Sequence, residues 1–218
     1  MARTSSQLTP IVQTSTPALI ADRLREAIAN GEFAQGEQLA ETALALTFGV
    51  SRGPLREAMQ RLTQEGLLVA RRNRGLFVVE LGPAEIHDIY LAREALEGAA
   101  IQQIIDKRRG EEARVLLPIV SQLASQDVAA ASEADMRFHV TLVALSQSPR
   151  LQTMHGTLIT QIRLCLQQMA DSYTPANDRV GEHAAIVEAI IAEDLPTART
   201  LLGEHMQDGL RRLTARRT

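Results

Sequence analysis

Four residues in the C-terminal half of the chain have the types and spacing of a metal site. Asp135 and His139 are four residues apart, so a helix through them carries both on one face, together with Leu142 and Val143. His183 shares a helical stripe with Ile186, Val187 and Ile190, and His205 shares one with Ala198, Leu201 and Leu202. One carboxylate and three imidazoles are therefore expected to face a common core. On one straight helix the segment from His183 to His205 would span roughly 33 Å, too far for a shared ligand. Asp194-Leu195-Pro196 lies midway between them and predicts a reversal, which returns both histidines to the same height on antiparallel neighbours. Three histidines and a carboxylate suit a divalent transition metal, and Zn, Ni, Mn and Fe all remain open on ligand type. The structural alternative is that each is a satisfied core group.

Arg93 and Glu97 lie in the middle of the stripe Ile86, Ile89, Tyr90, Ala100, Ile104. A buried arginine needs a partner. Either the two form a structural pair one helical turn apart, or Arg93 binds the carboxylate of an effector. His155 follows Leu151 and precedes Ile159 and Ile162 on an apolar stripe, as core or pocket lining, and His87 is expected to face outward.

A second constellation is basic. Residues 49–75 hold Arg52, Arg56, Arg61, Arg71, Arg72 and Arg74 against Glu57 and Glu65, a local surplus of four positive charges in a chain of net charge −3. Such a surplus is the electrostatic footprint of a DNA-binding surface. Ser51, Arg52, Gly53 and Arg56 fall in the first turns of a helix, the part that meets base edges in the major groove. Arg74, at a hairpin tip with Asn73 and Gly75, suits a minor-groove or phosphate contact. Taken singly, any of these arginines is equally well a solvated surface charge.

The elements that position these residues can be read from periodicity. Residues 1–15 are Ser/Thr-rich and expected to form a flexible arm. Thr16-Pro17 starts a helix with apolar Ile20, Leu24, Ala27 and Ile28, which Asn30-Gly31 stops. A short helix fits Glu41 to Phe48. A third is expected to begin at Ser51 as its cap, to tolerate Pro54 in its first turn, to bury Leu55, Ala58, Met59 and Leu62, and to end at Gly66. Two apolar runs around Arg72-Asn73-Arg74-Gly75 read as a β-hairpin. Gly82-Pro83 marks a boundary, and beyond it only helical periodicity appears, over 84–107, 111–125, 129–146, 149–170, 178–193 and 195–215, with Pro118 expected to kink or shorten the second. The expected fold is mainly α: a winged helix-turn-helix of three helices and a hairpin over 16–81, then an all-helical bundle of about six helices over 82–218.

Composition narrows the function. Apolar residues make up 45% of the chain, enough for a packed core, with no run long enough to span a membrane. The N-terminus lacks a signal-peptide stretch. The single cysteine, Cys165, rules out an intrachain disulfide, fits a reducing compartment, and is expected to serve packing. Aromatics at 3% are too few for a base-stacking platform, which disfavours an RNA or single-strand binder.

The stretch from Leu24 to Val79 resembles the DNA-binding domain of the GntR family of bacterial regulators, above all in GVSRGPLREAMQRL, the following EGLL and the NRG hairpin tip. The helical remainder resembles the ligand domain of the FadR branch, FCD subgroup. That resemblance implies a metal on Asp135, His139, His183 and His205, and an effector site at Arg93 and Glu97, with Arg163 a further candidate. An arginine common early in the family's second helix corresponds to Thr42 here, so the operator half-site is expected to differ. The resulting expectation is a cytoplasmic, homodimeric, non-enzymatic repressor of an adjacent catabolic operon. It would bind double-stranded operator DNA and sense a small carboxylate. A metal-dependent hydrolase-like enzyme and a constitutive DNA-binding protein with a structural cluster are the alternatives.

Overall fold

The computed structural model of the protein describes residues 15–167 and 178–214, without the side chains of 165–167 and 178. The expected arm before Ser15, the packing of Cys165 and the helix end at 168–170 lie outside the described residues.

Helix α1 (Thr16–Ala29) starts where Ser15 Oγ accepts from the Ala18 amide, and Pro17 occupies the first turn, where an amide would have no helical acceptor. Its buried face, Ile20, Ala21, Leu24 and Ile28, packs on α3. Helix α2 (Glu41–Phe48) ends at Gly49 in the left-handed conformation. Helix α3 (Arg52–Gln64) buries the expected Leu55, Ala58, Met59 and Leu62. Ser51 holds the N-cap position, but its hydroxyl makes no capping bond. The first amides of α3 therefore have no side-chain acceptor and suit an external anion.

Strands β2 (Leu68–Arg71) and β3 (Gly75–Val78) pair antiparallel, with Arg71 opposite Gly75 and Leu68 opposite Val78. The tip closes through Arg74 N–H donating to the Arg71 carbonyl, and Asn73 and Gly75 take φ of 57° and 96°. Asn and Gly tolerate that region best. A two-residue strand, β1 (Gln38–Leu39), completes the sheet in the order β1-β3-β2. It is too short for alternation to reveal it in the sequence.

Among the described residues seven helical segments follow: α4 (Pro83–Asp106), a 3₁₀ segment (Gly110–Leu116), α5 (Leu117–Gln122), α6 (Val128–Leu145), α7 (Pro149–Gln167), α8 (Asp178–Ile191) and α9 (Leu195–Thr214). The single helix expected over 111–125 is thus divided. Pro118 has no amide to donate one turn back, and its ring crowds that carbonyl, so α-helical geometry begins anew with proline in the first turn. Asp127 caps α6 through the Ala129 and Ala130 amides, and Asp194 caps α9 through Thr197. Helix α4 is the centre of the bundle and packs on α6, α7 and α9, while α8 lies against α9. One continuous buried core runs from α1 and α3 into the bundle. Helix α7 touches both parts. It packs on α1, and Gln161 donates to the carbonyls of Glu65 and Gly66 at the end of α3, at 3.4 and 3.2 Å.

Candidate metal centre and nucleic-acid interface

Helices α6, α8 and α9 bring Asp135, His139, His183 and His205 together. Each offers one ligand atom, and these atoms all lie within 4.8 Å of one another. The reversal at Asp194 does what the spacing predicted: the rings of His183 and His205 stand 4.4 Å apart between centroids. His205 Nε2 is 3.2 Å from His139 Nε2, and His183 Nε2 is 3.2 Å from Asp135 Oδ1. Metal–nitrogen bonds of about 2.0–2.1 Å place neighbouring ligand atoms roughly 3 Å apart, so these edges fit a first coordination shell. His183 Nε2 is buried, faces the Asp135 carboxylate and has no hydrogen-bond partner. A buried nitrogen of that kind needs an occupant to offset its lost hydration.

The other ring nitrogen of each histidine is held. His183 Nδ1 donates to the Arg179 carbonyl at 2.8 Å, His139 Nδ1 to Glu97 Oε2 at 2.7 Å, and His205 Nδ1 to Glu182 Oε2 at 3.2 Å. Each of these acceptors requires the proton on Nδ1, so all three Nε2 lone pairs turn inward. Burial lowers the pKa of His139 to about 3, which keeps the ring neutral, the form that ligates. Burial works to raise Asp135, but His183 and the other imidazoles hold its carboxyl well below the usual range.

Behind His139 lies a second buried group. Glu97 is fully enclosed, and its Oε1 accepts from Arg93 Nε at 3.0 Å and from His155 Nε2 at 2.9 Å. Burial opposes its charge, yet His139, Arg93 and His155 together keep the carboxyl well below its ordinary value. The structural pairing of Arg93 with Glu97 is therefore made. It uses only part of the guanidinium: Arg93 Nη2 is buried without a hydrogen-bond partner, and Cζ stands 5.1 Å over the Tyr90 ring. Arg163 is elsewhere. It pairs with Glu133 of α6 near the surface, at 3.0 Å.

The proposed DNA contacts of the basic constellation are exposed. Thr42, Ser51, Arg52, Gly53, Arg56, Asn73, Arg74 and Gly75 are all exposed, and nothing lies within 4 Å of where a Gly53 Cβ would be. The start of α2 meets the start of α3. Arg52 donates to Thr42 Oγ1 at 3.3 Å, and Arg56 pairs with Glu41 at 2.7 Å. In the wing, the guanidiniums of Arg71 and Arg74 stand 4.5 and 5.4 Å from the Phe77 ring centroid, and Arg71 also pairs with Glu80.

His87 is exposed, as expected, and His155 is buried. Sequence reasoning missed Glu182, Arg179 and the junction at Glu97. Glu182 flanks His183 in the chain and gives no periodic signal. Arg179 is buried at the start of α8, close enough to Asp135 to feel its charge, and only tertiary packing reveals it. No helix among the described residues is long and apolar enough to cross a membrane.

Comparison with known proteins finds two family profiles along the chain. The profile of the FCD domain matches residues 88–208, and that of bacterial regulatory proteins of the gntR family matches 18–78. The uncharacterized HTH-type transcriptional regulator YdhC of Bacillus subtilis is 30% identical over 174 residues, covering 78% of each chain. An Escherichia coli protein named for regulation of the L-lactate dehydrogenase operon is 31% identical over 212 residues, covering 86% of this chain and 82% of its own. Among solved structures, a GntR regulator from Rhodococcus sp. RHA1 superposes with a TM-score of 0.78 at 27% identity, over 93% of this chain and 99% of its own. McbR/YncC of E. coli superposes with 0.77 at 22% identity, over 94% and 100%, and shares the fold.

Proposed function

The chain belongs to the gntR family of bacterial regulatory proteins and carries an FCD domain, and from that premise we propose that it is a metal-containing repressor of an adjacent catabolic operon, sensing a small carboxylate. It is a transcriptional regulator rather than an enzyme. We assign DNA reading to 16–81 and sensing to 82–218. The observation that carries the proposal is the inward convergence of three Nε2 lone pairs and Asp135, with every Nδ1 held by an acceptor.

Asp135, His139, His183 and His205 would hold a divalent transition ion, of which Zn, Ni, Mn and Fe all suit the donor set. Bound there, the ion supplies an electrophilic point for a carboxylate oxygen. Arg93 Nη2, buried and lacking a hydrogen-bond partner, supplies a second. The name of the L-lactate operon relative supports a carboxylate effector. Arg163 is engaged with Glu133 and takes no part in this reading.

Ser51, Arg52, Gly53 and Arg56 would meet base edges and phosphates in the major groove, with Thr42 beside them. Asn73, Arg74 and Gly75 would reach the adjacent minor groove or backbone. A homodimer would place two such heads on a pseudo-palindrome. Effector binding would favour one arrangement of the bundle, and α7, which touches both the bundle core and the end of α3, would carry that bias to the head.

The test combines metal analysis of the purified chain, gel shift on its own upstream intergenic DNA, and a thermal-shift screen of small carboxylates with and without metal. Stoichiometric metal, specific retardation and a metal-dependent carboxylate shift are expected. Less than about 0.1 metal per chain, with no metal-dependent rise in melting temperature, would remove the metal from the reading. Binding no tighter than to random DNA would remove the operator.

A further inference from the structure

The junction at Glu97 lies behind His139, on the ring nitrogen that faces away from the cluster. Three helices each deliver one donor to its carboxylate: Arg93 from α4 itself, His139 from α6 and His155 from α7, at 3.0, 2.7 and 2.9 Å. The exposed fraction of Glu97 is zero. Burying a carboxylate is costly, and beyond one ion pair its remaining lone pairs must also be hydrogen-bonded. Two histidines from separate helices supply those bonds here. One of the two is a candidate ligand, and the carboxylate meets it on the ring nitrogen that faces away from the cluster.

We propose that Glu97 is the positioning residue of the metal centre: its Oε2 fixes the His139 ring so that Nε2 faces Asp135, His183 and His205, and its Oε1 ties that ligand to α7 through His155. This rests on the metal reading above.

The chemistry follows from donor and acceptor roles. A carboxylate only accepts, so His139 must carry its proton on Nδ1, and its one lone pair then lies on Nε2. The ring is doubly constrained, since Phe138 meets it edge-on at 5.1 Å and His205 stacks at 5.1 Å. A negative acceptor on Nδ1–H also makes Nε2 a stronger donor to a cation. The same carboxylate holds α7 at His155, six residues before Gln161 reaches the end of α3. Loss of the Glu97 charge therefore reaches both the ligand and the α7 anchor.

The substitution Glu97→Gln separates these roles from mere filling of space. The amide keeps the shape but offers one acceptor oxygen and an NH₂ that confronts an N–H donor. Zn²⁺ affinity, measured on the full chain by competition with a chromophoric chelator, is expected to fall about 10–100-fold. The visible d–d bands of the Co²⁺-loaded protein are expected to change as well. His155→Gln, which retains a donor toward Glu97, is expected to stay within about threefold of wild type. Because E97Q could fold poorly, the wild-type chain supplies a second measurement. In metal-free, ¹⁵N-histidine-labelled protein, His139 is expected as the Nδ1–H tautomer. An Nε2–H tautomer, or E97Q with wild-type Zn²⁺ affinity and an unchanged Co²⁺ spectrum, overturns the role of Glu97 while the four-ligand site stands. Wild-type chain that takes up neither metal overturns the site itself.

Discussion

His183 and His205 lie on different helices with their ring centroids 4.4 Å apart, brought there by the turn that Asp194 caps. Neither ring has its Nδ1 free, so both offer Nε2 to the same point. Substituting either by Ala is expected to weaken Zn²⁺ binding by on the order of 100-fold or more and to abolish the metal-induced rise in melting temperature. The metal-free melting temperature should change much less. Equal losses with and without metal would mark the cluster as structural.

The DNA-reading face is expected to divide into two kinds of contact. Arg52→Ala should cost about 1–3 kcal/mol on the operator and relax sequence preference at one position, as loss of a base-edge contact does. Arg74→Ala should weaken binding more evenly across sequences and lower the salt slope by about one unit. Titrations on operator and random duplexes at several salt concentrations check both.

Glu41 holds Arg56 at 2.7 Å across the exposed start of α2 and α3. The pair is exposed, so it adds little to stability, about 0–1 kcal/mol. Its effect on DNA should be larger in relative terms, because Glu41 both occupies Arg56 and repels phosphate. Glu41→Gln is expected to tighten DNA binding severalfold at low salt, with the gain fading as salt rises. No gain at low salt would show that Arg56 does not approach the DNA.

Gln161 is the polar link from α7 to the end of α3. Gln161→Ala should cost about 0.5–1.5 kcal/mol of stability, the net worth of such bonds. It is expected to leave metal uptake unchanged while shrinking the difference in DNA affinity between metal-loaded and metal-free protein. An undiminished difference would place the coupling elsewhere.

Gly110 is set where a Cβ would overlap the Ile190 carbonyl of α8. Gly110→Ala must push the 3₁₀ segment off α8, the helix that carries His183, at an expected cost of about 1–3 kcal/mol. Thermal melting of metal-free protein reads this directly.

The sequence by itself determined what depends on local spacing. The four-residue step from Asp135 to His139 set one helix face, the apolar stripes set the core side of α8 and α9, and the turn at Asp194-Pro196 set their return. Asn73 and Gly75 marked the wing because a tight hairpin needs residues that accept positive φ. Pro118 announced the break that divides the expected helix into a 3₁₀ segment and α5. Only the tertiary structure decided which helices face one another. The short β1 exists through its pairing with β3 and has no period of its own. Glu97 looked like the partner of Arg93 one turn away, and it is that, but packing of α6 and α7 on α4 adds His139 and His155 to the same carboxylate. Arg163, a pocket candidate by resemblance, is drawn instead to Glu133. Periodicity fixes which side of a helix turns inward, and it carries no information about what the neighbouring helix presents across the gap.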